Sequence, residues 1–268
     1  MKVTVFSNDG SSSVQVANRL TQKLINTGFV IDDQTPDVVI SVGGDGTLLS
    51  AFHRYAYDLA HIRFIGVHTG HLGFYTDWRD FEVDDLVVAL QEDLGQSISY
   101  PLLEVKIEYA DTHEISRSLA LNEVTLRRYA ATLRTDVYIK ENFFESFRGD
   151  GLCISTPTGS TAYSKSIGGA VLHPRLDAMQ MTEIASINNR VYRTLSAPIV
   201  LPSDEWLLLK PSKTSDYVVT IDQFTFKDRP IASMQFKIAK ERIQFARYRH
   251  THFWNRVEDA FIGSKHEI

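Results

Sequence analysis

Residues 38–49 read VVISVGGDGTLL: an apolar, β-branched run (Val38, Val39, Ile40, Val42) stops at Gly43-Gly44-Asp45-Gly46-Thr47 and gives way to Leu48 and Leu49. The run has the length of a buried strand, and the glycine-rich segment after it has the composition of a tight turn opening into a helix. Lacking Cβ atoms, Gly43, Gly44 and Gly46 let backbone N–H groups come close to a ligand. At a helix N-terminus those groups favour an anion. A loop that only held phosphate would gain little from the carboxylate of Asp45. Two readings stand. Asp45 caps the helix, with Thr47 in its first turn, or it accepts a proton from a hydroxyl beside the phosphate. The stretch is not a P-loop, because no Lys follows the glycines, and Leu49 stands where a dinucleotide fingerprint has its third glycine.

Around this stretch, strand and helix alternate through the first hundred residues. Residues 2–6 read as a strand, and 13–27 carry Val16, Leu20, Leu24 and Ile25 at helical spacing before Gly28 ends the pattern. Residues 48–60 read as the next helix, 63–67 as a strand and 81–92 as a further helix. Such alternation implies a parallel sheet with flanking helices, and ligands at the carboxyl ends of its strands. After Tyr100-Pro101 the texture changes. Residues 102–109, 116–126, 135–139, 205–209, 217–221, 234–239 and 243–247 alternate in the manner of strands. The expected architecture is therefore an α/β domain over 1–100 and a β-rich domain over 101–250. A C-terminal helix within 251–268, with Phe253, Trp254, Val257, Phe261 and Ile262 as its apolar face, packs back on the first domain.

The bulk numbers set limits. The chain has 268 residues, 43% hydrophobic and 23% charged, with a net charge of −5. That balance gives no electrostatic case for nucleic acid or an anionic membrane. An anionic ligand must be held by local groups. No stretch approaches transmembrane length. The single cysteine, Cys153, excludes an intramolecular disulfide and supports no cysteine metal site. In the run Leu152-Cys153-Ile154 it reads as a small buried hydrophobe, and a cytoplasmic location fits. The histidines show no metal-ligand spacing, so no protein-held metal is assigned.

A second dense region, 147–170, reads FRGDGLCISTPTGSTAYSKSIGGA, with seven Ser or Thr and five Gly. Hydroxyls and close backbone suit a polyhydroxylated, phosphorylated ligand. Asp150 sits in a second Gly-Asp-Gly beside Arg148, either as a surface pair of little energetic weight or as a ribose- or amide-reading carboxylate. Asn122-Glu123 closes the run Leu119-Ala120-Leu121 and could grip a ribose diol or an adenine edge, or simply start a turn. Phe74 and Tyr75 follow a glycine, where aromatic faces cover a base or pack in a core.

Together these segments resemble the NAD kinase family. The residues that carry the resemblance are Gly43-Gly44-Asp45-Gly46-Thr47, Thr69-Gly70-His71-Leu72-Gly73-Phe74, Asn122-Glu123, Gly149-Asp150-Gly151-Leu152, and the more specific Thr156-Pro157-Thr158-Gly159-Ser160-Thr161-Ala162-Tyr163, with Gly168-Gly169 and His173-Pro174 beyond. The resemblance implies an NAD kinase-like two-domain fold and transfer of a phosphoryl group from ATP, or in some members polyphosphate, to the adenosine ribose 2′-hydroxyl of NAD, in NADP biosynthesis. It implies Asp45 as general base and Gly43, Gly44, Gly46 and Thr47 against donor phosphates. Asn122 and Glu123 would bind ribose and adenosine. Phe74, Tyr75, Thr158, Thr161, Ala162, Tyr163 and Ser166 would line the NAD pocket, and Asp150 and Ala185 would contact the nicotinamide half near Arg148. Magnesium would arrive with the nucleotide. The resemblance also implies a homodimer or homotetramer, with Asp222 and Gln223 where a neighbouring subunit reaches the site. Two other readings remain: a diacylglycerol or sphingoid kinase of the same superfamily, and a non-catalytic NAD-binding sensor.

Overall fold

A computed structural model describes residues 1–70, 73–129, 131–212, 214, 216–227, 229–249 and 252–263. His71 and Leu72 of the expected loop motif, and residues 250, 251 and 264–268 of the expected C-terminal segment, lie outside the described residues. The chain divides into two compact units: Met1–Ser99 with Arg242–Ile268, and Tyr100–Glu241.

The first unit is the α/β layer that the alternation predicted. In chain order it runs β1 (Lys2–Ser7), α1 (Ser11–Asn26), β2 (Val30–Ile31), β3 (Val38–Val42), α2 (Asp45–Tyr55), β4 (Arg63–His68), β5 (Trp78–Arg79) and α3 (Val83–Gln91). Strands β2, β1, β3, β4 and β5 pair in parallel, with Ser7 opposite Val42 and Val42 opposite Val67. Every residue of β3 is buried, as a central strand covered on both faces requires. Alternation sends Val38, Ile40 and Val42 into a cluster with Leu20 and Leu24 of α1 and Leu86 of α3. The matched register brings the chain out of β1, β3 and β4 at one edge, after Ser7, Val42 and His68.

Helix α2 differs from its expected span of 48–60. It starts at Asp45, ends at Tyr55 and passes into a single 3-10 turn, Ala56–Asp58. The apolar spacing begins only at Leu48, so it could not show that the glycine turn itself supplies the first helical turn. The C-terminal helix is Phe253–Phe261, and its packed face differs from the expected one: Phe253 and Arg256 are buried, while Trp254 and Ile262 are exposed.

The second unit is β-rich. One antiparallel sheet runs β13-β12-β11-β8-β15-β16, comprising Ile199–Pro202, Ala178–Ile184, Gly151–Ser155, Glu123–Arg128, Tyr217–Ile221 and Phe224–Lys227. The other strands are β6 (Ser97–Tyr109), β7 (Ile115–Ala120), β9 (Leu133–Ile139), β10 (Asn142–Gly149), β14 (Trp206–Pro211) and β17 (Ile231–Ala246). Strand β6 enters the unit at Tyr100, and β17 leaves it after Glu241. A core of Leu103, Val137, Phe147, Leu152, Ile154, Met179, Leu207, Tyr217 and Phe236, among others, joins these strands.

Two strand expectations are corrected here. Residues 116–126 do not form one strand but break at Leu121-Asn122 between β7 and β8. Conversely, 234–239 and 243–247 belong to one strand. The charged Lys240-Glu241-Arg242 interrupts the apolar pattern but not the backbone, because Glu241 pairs with Arg117 and Arg242 is held by Ser99.

Candidate active site

At the carboxyl edge of the first unit, the turn after β3 is fixed by Gly43. Its φ of +151° and the 2.3 Å that would separate a Cβ from Thr47 Oγ1 leave room for hydrogen alone. The Gly43 N–H donates to Val67 O at 2.9 Å, tying the turn to β4. Gly44 holds the N-cap position without a side-chain cap, so Asp45 is the first helical residue and not the cap. Its carboxylate points instead at the loop after β4. The Phe74 N–H donates to Oδ2 at 2.8 Å and the Tyr75 N–H to Oδ1 at 3.0 Å. Gly73 permits this approach, since a Cβ there would lie 2.1 Å from Oδ1. A carboxylate has about four lone-pair sites, so among the described residues two acceptor directions stay open on half-exposed Asp45.

The loop that cradles Asp45 is pinned from behind. Arg256, buried in the C-terminal helix, donates to Gly73 O at 2.8 Å and Thr76 O at 2.9 Å and pairs with Asp77. Phe74 packs on Phe253 and Phe261, and Tyr75 stacks on Phe245. The side chain of Tyr75 is buried. The backbone N–H groups of both residues point at Asp45, and the Phe74 side chain stays half-buried. Beside the turn, Asn8 Nδ2 donates to Thr47 Oγ1 at 3.2 Å, and the hydroxyls of Ser13 and Thr69 are 2.8 Å apart. Asn8 and Arg256 escaped the sequence reading. Asn8 sits in an ordinary-looking Asn-Asp-Gly loop, although its place directly after a strand in a parallel sheet was a usable signal. Arg256 is a charge among apolar residues, whose burial follows only from its partners.

In the second unit, Asn122-Glu123 sits at the break between β7 and β8. Asp222, in the tight turn after β15 at φ +50°, accepts the N–H groups of Leu121, Asn122 and Glu123 at 2.9, 2.8 and 3.2 Å. Asp tolerates this left-handed backbone better than most residues. The Asp222 carboxylate thus shapes the corner on which Asn122 and Glu123 stand. Across from it, Thr156 N–H donates to Asn122 O at 2.9 Å and Thr156 Oγ1 to Leu121 O at 2.6 Å. Gly159 passes so close that a Cβ would meet Asn122 O at 2.1 Å.

The segment from Thr156 is a folded cover and not a loose loop. It makes a 3-10 turn, Thr158–Thr161, and one helical turn, Tyr163–Ser166. Ser164 and Gln180 bond at 3.0 Å beneath it. Thr158 and Thr161 are buried, Ala162 and Tyr163 are half-buried, and Ser166 and Gln223 are exposed. Register puts Glu123, Ser155 and Gln180 in one row, on the face away from the apolar core. Glu123 Oε2, Ser155 Oγ and Thr158 Oγ1 are buried there without a hydrogen-bond partner among the described residues. Burial, then the charge of Asp222, pushes the Glu123 carboxyl up to about 8. Burial likewise raises the Cys153 thiol, so it stays protonated, as an inert core residue does.

Arg148, Asp150 and Ala185 come together, but elsewhere. They gather where β10 turns into β11: Ile187 N–H donates to Arg148 O at 2.8 Å, Asp150 N–H to Ile184 O at 2.9 Å, and Ala185 has φ +46°. The Arg148 guanidinium lies 3.7 Å from the Tyr192 ring centroid. Asp150 opens onto a cavity of about 370 Å³ lined also by Arg127, Arg128, Tyr129 and Val218. Strand β11 separates this group from Thr156 by five strand residues, about 16 Å.

Comparison with known proteins decides the family. Residues 7–93 match the ATP-NAD kinase N-terminal domain and 121–230 the ATP-NAD kinase C-terminal domain. The chain is 89% identical to the NAD kinase of Latilactobacillus sakei over the full length of both. The chain belongs to the NAD kinase family. It is thus an enzyme and a phosphotransferase. Other NAD kinases, from Lacticaseibacillus paracasei and Enterococcus faecalis, are 66% and 57% identical, over 99% and 98% of this chain and 100% and 99% of theirs. The NAD kinase fold is also seen in yeast NADH kinase complexed with NADH (TM-score 0.84, 20% identity, 100% of this chain and 89% of that one). An NAD kinase from Archaeoglobus fulgidus in complex with ATP shares it as well (TM-score 0.77, 19% identity, 98% and 100%).

Proposed function

We propose that the chain transfers the terminal phosphoryl group of Mg-ATP to the adenosine ribose 2′-hydroxyl of NAD, giving NADP, with Asp45 receiving the hydroxyl proton. The observation that carries this reading is the cradle of Asp45. Two backbone N–H groups orient its carboxylate at the start of α2, and the acceptor directions that stay open can take a ligand proton. A sugar hydroxyl is too weak an acid to ionise beforehand, so the proton moves as the O–P bond forms. Such assistance is worth about 10²–10⁴ in rate. The glycine turn and the N-terminus of α2 offer N–H groups to the donor phosphates, and Mg, bound to the nucleotide as part of the substrate, spreads their charge. Polyphosphate could meet the same donors. Among the described residues no cluster of three or more His, Cys, Asp or Glu could hold a metal.

Asn122, Glu123, Thr158, Thr161, Ala162, Tyr163 and Ser166 hold the dinucleotide in the second unit. The distance of Arg148, Asp150 and Ala185 from that group supports a homo-oligomer in which they serve the site of a neighbouring copy; Asp222 and Gln223 stand at the Asn122-Glu123 end, where a neighbouring subunit reaches the site, and a cytoplasmic location fits the single buried thiol. Buried hydroxyls around Thr156 disfavour an acyl-binding lipid kinase, and an intact, oriented Asp45 disfavours a sensor without chemistry. Asp45→Asn tests the assignment: turnover falls at least a hundredfold while NAD affinity changes little. A near-normal rate would remove Asp45 from the mechanism.

A further inference from the structure

Glu123 is the acid of the second unit's polar row. Its Oε2 is buried with no hydrogen-bond partner among the described residues, and the nearby Tyr163 backbone N–H favours the charged form of its carboxyl only weakly against burial. The groups facing it are Asp222 from the turn after β15, the buried Cys153 thiol from β11 and that N–H from the helical turn. Among the described residues no Lys or Arg forms an ion pair with it. Asp222 is its opposite in kind. Three backbone N–H groups converge on that carboxylate, one of them from Glu123 itself. Hydrogen bonds of this kind favour the ionised form, and a second buried charge beside it, with no cation to offset it, is disfavoured. Burial and the charge of Asp222 therefore both favour a proton on the Glu123 carboxyl.

We propose that Glu123 meets the dinucleotide as a neutral carboxylic acid, a hydrogen-bond donor through Oε2, and that Asp222 is the positioning residue that keeps the proton there. This rests on the reading that the Asn122-Glu123 corner binds NAD. A neutral acid offers one O–H and accepts at the other oxygen, so it can donate to a ribose oxygen or an adenine nitrogen that a carboxylate would repel. The charge of Asp222 acts from behind the corner that it also shapes.

The test has two arms. Carboxyl ¹³C NMR of glutamate-labelled, NAD-free protein, with the Glu123→Gln spectrum identifying the resonance, should give a midpoint near 8 for Glu123. In Asp222→Asn the midpoint should drop by about one unit or more. In the second arm, calorimetry of wild-type protein with NAD alone should show Kd rising about tenfold between pH 7 and pH 9, as the protonated fraction falls. Glu123→Gln, which cannot ionise, should lose that pH dependence, whatever its affinity. A midpoint near the ordinary 4.5 overturns the proton-holding role of Asp222. A wild-type Kd that is flat across this range overturns the donor role. Absence of NAD binding at both pH values overturns the dinucleotide reading, and the titration of the free protein then shows whether the proton assignment survives it.

Discussion

Gly73→Ala should disable the enzyme without touching an acid or a ligand-binding side chain. A Cβ at position 73 would fall 2.1 Å from Asp45 Oδ1, 2.6 Å from Cγ and 2.8 Å from Oδ2. Contact becomes ordinary at 3.4 Å, so the carboxylate must retreat by about 1.3 Å, the difference between 3.4 and 2.1. The bonds of 2.8 and 3.0 Å from Phe74 and Tyr75 would then open to about 4 Å, past hydrogen-bond range. Asp45 remains in the chain, free to swing but no longer aimed. If its contribution depends on that aim, kcat falls by about 10²–10⁴. The cost in stability is smaller. Two charge-assisted hydrogen bonds are exchanged for water at a half-exposed site, about 1–3 kcal/mol in all, and about 1 kcal/mol moves Tm by about 2–4 °C in a chain of this size. The assay is NADP formation at saturating NAD and Mg-ATP, with Tm measured on the same sample. A folded Gly73→Ala protein with kcat within twofold of wild type would refute the claim that the 73–75 loop orients the base.

Other substitutions probe the supports around the two corners. Arg256→Ala removes the bonds that hold Gly73 O, Thr76 O and Asp77. It should cost about 2–3 kcal/mol and lower kcat more than it raises KM for NAD, which steady-state kinetics with a denaturant melt would resolve. Gly159→Ala drives a methyl into the Asn122 carbonyl, 2.1 Å away, and backbone on both sides leaves little slack. NAD affinity should drop at least tenfold by calorimetry, with Mg-ATP binding near normal. The half-buried pair of Arg63 with Asp93 makes stability sensitive to acid. Arg63 holds the Asp93 carboxyl below its ordinary 3.8. The stabilisation is complete above 3.8 and lost as pH falls through the lowered value. Tm measured from pH 6 to pH 2.5 should decline less steeply in Asp93→Asn than in wild type.

How much of this was legible depends on the range of each interaction. The strand-to-turn-to-helix junction could be read from 38–49 because its parts are contiguous there and Gly43 declares a backbone that no other residue adopts cheaply, although the helix begins at Asp45 and not at Leu48. The α/β and β-rich halves were readable from a change of hydrophobic period, which needs only neighbours in sequence. What escaped depends on residues far apart. The break at Leu121-Asn122 is made by Asp222, about one hundred positions away, so no local pattern separates β7 from β8. The continuity of β17 through Lys240-Glu241-Arg242 depends on Arg117 and Ser99. Arg256 reads as a solvent-facing charge until the carbonyls of Gly73 and Thr76 are placed against it. Phe74 and Tyr75 were read for their rings. Phe74 packs on Phe261 of the C-terminal helix and Tyr75 on Phe245 of β17, and the backbone N–H groups of both reach Asp45.

The central claim is that Asp45, held by that loop, takes the proton of the NAD 2′-hydroxyl. Its most direct test is NADP production by the purified protein from NAD and Mg-ATP, followed with an NADP-specific dehydrogenase, for wild type and Asp45→Asn side by side. The account predicts steady NADP formation by wild type and a loss of at least a hundredfold in the variant. Equal rates in the two proteins would contradict it.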